Sequence, residues 1–149
     1  MDNQTRTFTP DQELRALSWK QPYGELMLHG KIETRTWDTK YRGWVLICAS
    51  KAPYSDLSVK NIAGLIQYKR ITDTLYRSVK EYGAAIGIGY LADCRRMLPE
   101  DEDKCFVRYF SDLYCHVYTD VRPIMPFDWK GAQGWRKVSE EVKRNIVIL

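Results

Sequence analysis

Apolar and polar positions along the chain keep two rhythms, period 2 and period 3.6, and the changes between them mark the elements. "ALSW" (16–19) is a short apolar run of strand type. It leads into "QPYGELMLHG" (21–30), where Tyr23, Leu26, Met27 and Gly30 stand at helical spacing. Pro22 suits the first helical turn, where its missing N–H costs nothing, and Gly30 is a natural stop. "KIETRTW" (31–37) then alternates strictly, which puts Lys31, Glu33, Arg35 and Trp37 on one face of a predicted strand. The polar turn "DTKYRG" (38–43), with Arg42-Gly43 as a hairpin corner, precedes "WVLICAS" (44–50), whose unbroken apolar run predicts a buried strand.

Helical rhythm returns in "SDLSVKNIAGLIQYKR" (55–70), capped by Ser55 or Asp56, and in "TDTLYRSVKEYG" (72–83), which ends at Gly83. "AAIGIGYLADCRRM" (84–97) is a strand in which Gly87 and Gly89 leave one face bare for a close neighbour. Its Gly-x-Gly-x-x-Ala spelling is no dinucleotide fingerprint, because the strand pattern runs straight through where a helix would have to open. The acidic run "PEDED" (99–103) reads as a solvated loop. "LYCHVYTDVRPIMPF" (113–127) is extended structure broken by Pro123 and Pro126. "WKGAQGW" (129–135) is a glycine-rich turn before an amphipathic helix in "KVSEEVKRNI" (137–146). Residues 1–13 read as a polar tail ordered on contact and 14–149 as a single domain without repeats. Strands dominate and helices come in groups, which predicts an α+β domain on a small curved or closed sheet.

Composition adds limits. A chain of 149 residues fits one hydrophobic core. Five Trp and ten Tyr supply flat surfaces that either pack a core or stack on a ligand. The net charge of +4 and pI near 8.8 permit a phosphate-bearing partner without requiring one. The four cysteines form no C-x-x-C pair and neither histidine completes a zinc site, so reduced thiols, no metal and no cofactor are expected. The first 13 residues hold no apolar signal-like region, and no 18-residue apolar run occurs. A cytoplasmic protein with no membrane contact is the expectation.

Basic and aromatic residues gather around the alternating stretch: Lys20, Lys31, Arg35, Lys40, Arg42 and Lys51 beside Trp19, Trp37, Tyr41 and Trp44. Cations neutralise phosphates and rings stack on bases, so the mixture suits a binder of single strands or flipped bases. Glu33 is the odd member, since a carboxylate opposes phosphate binding. It either braces Arg35 and Lys31 or accepts a hydrogen bond from a ligand amine. On the residues alone the plainer reading is favoured, in which the charged strand face meets water and its ion pairs contribute about 0 to 1 kcal/mol. His29 follows the first helix and suits its negative end, while His116 in the aromatic-rich extended segment reads as structural. Gly-x-Ser-x-Gly, H-E-x-x-H and Gly-rich phosphate-loop motifs are absent.

These residues carry a resemblance. "LSWKQPYGELMLHGKIETRTWDTKYRGWVLICASK" (17–51) resembles the opening half of ASCH domains, of the PUA-like superfamily, and "AAIGIGYLADCR" and "PFDWKGAQGWRKV" resemble their second half. Lys20-Gln21-Pro22, Gly30, Glu33, Arg35, Arg42-Gly43 and Ser50-Lys51 match the family pattern. The interval from Gly30 to Glu33 is shorter than in the family signature, which displaces Lys31 and makes Lys20 a partial stand-in. The resemblance implies an α+β, PUA-like small β-barrel flanked by α-helices, a cleft where the signature strand meets the first helix, and association with RNA or another nucleic acid. Taken together with the basic and aromatic residues gathered around 31–37, the expected nucleic-acid-binding residues are Lys20, Gln21, Lys31, Glu33, Arg35, Tyr41, Arg42 and Lys51. Two alternatives use the same face: an RNA-cleaving nuclease or hydrolase of a modified nucleoside, and a protein-interaction module meeting an acidic partner. The family's acetylcytidine amidohydrolases carry threonine where Glu33 stands, so that activity does not transfer.

Overall fold

The computed structural model describes residues 5–51 and 81–149. The helices expected over 55–70 and 72–83 lie outside the described residues, apart from 81–83, which carry no helix. β1 (Leu14–Trp19) enters a short helix, α1 (Tyr23–Met27), and then β2 (Glu33–Arg35) and β3 (Gly43–Ala49). β4 (Ala84–Arg96), α2 (Glu102–Cys105), β5 (Tyr114–Asp128), β6 (Arg136–Lys137) and α3 (Glu140–Asn145) follow. The six strands form one sheet in the order β2-β5-β4-β3-β1-β6, curled into a half barrel. β1 and β3 are parallel, and the remaining pairs are antiparallel.

The buried reading of β3 holds on both faces. Val45, Ile47 and Ala49 pack with Leu17, Trp19, Tyr23, Leu26 and Met27 on one side. Trp44, Leu46 and Cys48 pack with Phe8, Leu14, Ala16 and Ile124 on the other. Sequence alternation therefore vanishes where both sides of a strand leave water. Phe8 meets Trp44 edge-on at 5.8 Å, so the segment before β1 contributes to the core instead of trailing from it.

The glycines of β4 place α1. A Cβ on Gly87 would lie 2.5 Å from Leu28 Cδ2, and one on Gly89 would lie 3.0 Å from Val121 Cγ2. The chain leaving α1 thus rests directly on bare backbone, which fixes α1 over the face that holds Trp19.

Three expectations need correction. β2 and β3 form no hairpin: β2 pairs with β5, Glu33 opposite His116, while β3 lies between β4 and β1. Gly43 instead makes room for Tyr41, whose hydroxyl would sit 2.7 Å from any Cβ there. Pro123 and Pro126 do not break the extended segment, because β5 runs through both, with register shifts in its ladder to β4 that accommodate the missing donors. Within "PEDED", Asp101 is buried and grips the Arg95 guanidinium through both oxygens, at 2.7 and 2.9 Å.

Candidate nucleic-acid interface

The alternating face of residues 31–37 points inward. Lys31 and Glu33 are only 4 % and 6 % exposed, so the reading of solvated charges is overturned. Its physical reason is the pairing of β2 with β5, which turns that face toward α1 and the 132–134 segment and encloses it. Lys31 Nζ donates to Glu33 Oε1 at 2.9 Å and to the Ile32 carbonyl at 3.0 Å. Arg35 Nε stands 2.8 Å from Glu33 Oε2, and its Nη2 donates to the Ser18 carbonyl at 3.1 Å. Both carboxylate oxygens are taken by cations, so Glu33 braces Lys31 and Arg35, and the trio carries one net positive charge.

Burial by itself would push the Glu33 carboxyl up, but the Lys31 ammonium and Arg35 guanidinium outweigh it and hold it below its ordinary value of 4.5. Glu33 is therefore ionised at neutral pH. His116, facing Glu33 across the ladder, is pushed down by burial and is neutral. Its Nε2 donates to the Trp37 carbonyl at 2.8 Å, which anchors Trp37 at the end of the charged face.

Around the trio opens a cleft of about 590 Å³, walled by Ser18, Trp19, Lys20, Tyr23, Thr34, Trp37 and the Ala132–Gly134 segment. The Arg35 guanidinium lies 5.1 Å from the Trp19 ring and 5.9 Å from the Trp37 ring. Trp19 is nearly wholly buried, which leaves half-buried Trp37 as the ring able to meet a ligand. An edge-to-face chain supports it: Trp37 to Trp135 at 5.9 Å and Trp135 to Tyr41 at 5.4 Å. Such edge-on packing fixes ring orientation at centroid distances of roughly 4.5 to 7 Å.

Four of the eight expected binding residues, Lys20, Lys31, Glu33 and Arg35, line this cleft, and Lys31 reaches it despite the short interval after Gly30. Lys51 lines an adjoining hollow instead. Gln21 is fully buried and clamps backbone, accepting from the Glu25 N–H at 2.9 Å and donating to the Glu81 carbonyl at 3.1 Å. Tyr41 donates to the Trp44 carbonyl at 2.7 Å, and burial pushes its hydroxyl up to about 12. Arg42 is exposed and donates to the Thr39 and Tyr41 carbonyls, away from the cleft wall. These three support the fold around the site. His29 pairs with Glu25 at 3.8 Å on the surface of α1. Sequence reasoning did not place Tyr23, Thr34, Val107 or residues 132–134 on the cleft; the glycine-rich "WKGAQGW" was the available signal for the last.

A curled six-stranded sheet with α1 seated beside a charged cleft defines a PUA-like α+β domain. The family model for the ASCH domain matches residues 17–133, and the chain belongs to that family. Among solved structures, a tyrosine-to-phenylalanine variant of ZmASCH from Zymomonas mobilis matches with a TM-score of 0.54 and 12 % identity. The match covers 89 % of this chain and 96 % of that one, a likeness of fold. No curated protein matches the sequence. Among the described residues, no helix is long and apolar enough to cross a membrane and no group of side chains is arranged to hold a metal ion.

Proposed function

We propose that this ASCH domain binds single-stranded RNA and holds an unpaired base in the cleft between α1 and β2. The observation that carries the reading is the ion trio Lys31–Glu33–Arg35, two cations fixed by one buried carboxylate beneath an aromatic rim. Burying three charges is costly, and a fold gains most from it where the charges must stand in fixed geometry for a ligand. The Arg35 guanidinium is ion-paired with Glu33 and donates through Nη2 to Ser18, which leaves its Nη1 edge for a base carbonyl or ring nitrogen. Trp37 supplies the stacking surface, and Lys20 at the mouth adds charge toward the backbone.

The test is fluorescence anisotropy with labelled single-stranded RNA across a salt series. The expected result is affinity that falls with salt, at a log–log slope of about −0.7 for each phosphate neutralised. Trp37→Ala is expected to weaken binding by fivefold or more, the loss of about 1 kcal/mol or more from one stacked base. Absent or salt-independent binding would contradict the reading.

A further inference from the structure

The cleft does not end at its rim. A second hollow of about 820 Å³ adjoins it, and the two share Ser18, Ser50, Ala132 and Gln133 as common wall. Each volume alone falls within the roughly 300 to 1,000 Å³ that holds one small ligand. The second hollow repeats the chemistry of the first: half-buried Trp129 and partly exposed Tyr82 as rings, Lys51 and Lys130 as cations. Trp129 is held edge-on by Phe127 at 6.4 Å, with the Arg136 guanidinium 6.0 Å from its ring. Lys51 and Lys130 have no carboxylate partner among the described residues, and Asp128 is the acidic member of the wall. Gly131 stands against Ser18 of the common wall, where a Cβ would come within 2.8 Å of Ser18 Oγ, so a larger residue there would crowd the junction of the two hollows.

We infer that the two hollows form one track for at least two consecutive nucleotides of a strand, the first base on Trp37 and its neighbour on Trp129. The inference rests on the cleft being a nucleic-acid site, and it makes the ligand a chain, not a free nucleoside. A nucleoside monophosphate would fill one hollow and leave the other's ring bare. A dinucleotide places its linking phosphate at the Ser18–Ser50 passage, flanked in sequence by Lys51 after Ser50 and Lys130 before Gly131.

Unlabelled RNA of one to six nucleotides, as A, C, G and U homopolymers, is competed against a labelled single-stranded hexamer on the full chain. The expected result is a gain of at least about fivefold from one nucleotide to two or three, the least expected of a second stacked base. Trp129→Ala, the double variant Lys51→Glu with Lys130→Glu, and Gly131→Val are each expected to collapse that ratio. All four positions lie at the surface or the rim, and circular dichroism confirms folding. Mononucleotides that bind as tightly as trinucleotides would overturn the two-nucleotide track while leaving the single-base cleft standing. A length gain that survives all three variants would overturn this placement of the second nucleotide. Binding by no species of any length would overturn the track together with the cleft reading on which it rests.

Discussion

Neutralising Glu33 is the most informative perturbation of the fold. In the wild type the Lys31 side chain is 1 % exposed and its ammonium lies 2.9 Å from Glu33 Oε1. Glu33→Gln keeps the shape but removes the charge, leaving Lys31 buried with the Ile32 carbonyl at 3.0 Å as its other acceptor. Breaking a buried pair from one side costs about 3 to 5 kcal/mol, because the surviving charge is stranded away from water. That is a large share of the roughly 5 to 15 kcal/mol that holds a domain together. Arg35 suffers less, since it is partly exposed and keeps its bond to the Ser18 carbonyl. Urea unfolding at pH 7, followed by tryptophan fluorescence, reads the effect. With a slope of about 1 to 3 kcal/mol per molar, a loss of 3 kcal/mol moves the midpoint by roughly 1 to 3 M. Adding Lys31→Met to Glu33→Gln should recover most of the loss, because no stranded charge remains. A Glu33→Gln cost below about 1 kcal/mol, the range of exposed pairs, would refute the burial argument.

Further outcomes follow from the same structure. Glu33 titrates below its ordinary 4.5 in the folded chain, so its ion pairs stabilise at every pH above that value and are lost as pH falls through the folded pKa. The stability-against-pH curve should therefore fall below about pH 4.5, and Glu33→Gln should flatten that limb, leaving the part due to Asp101, which Arg95 also holds low; an unchanged limb would contradict this. Gly87→Ala brings a methyl to 2.5 Å from Leu28 Cδ2 and 3.1 Å from the Arg122 carbonyl, and should cost about 1 to 3 kcal/mol in urea unfolding. Tyr41→Phe removes the bond to the Trp44 carbonyl and should cost about 1 kcal/mol while leaving RNA affinity within twofold, as a support residue would.

The period-2 pattern of Lys31, Glu33, Arg35 and Trp37 was legible in the chain; its burial was not. Alternation states which residues share a face, while the covering of that face depends on His116 and its strand, more than 80 positions later. Asp101 shows the same limit from the other side: a charge run reads as solvated until Arg95, six residues upstream, is seen to reach it. The bare glycines of β4 were a reliable signal, since the absence of side chains demands a close neighbour whatever its identity. Gln21 and Arg42 belong to the family pattern for a reason sequence does not separate from ligand contact. A polar group matched to backbone and one matched to a ligand leave the same spelling.

The central claim, that the cleft of Lys31, Glu33, Arg35 and Trp37 is where RNA meets the domain, is tested most directly by the indole N–H signals of the five tryptophans. On titration of isotope-labelled chain with single-stranded RNA, Trp37 and Trp19 should shift, while Trp44, buried in the opposite core cluster, should stay in place. Saturating RNA that leaves the Trp37 and Trp19 signals unmoved would contradict the account.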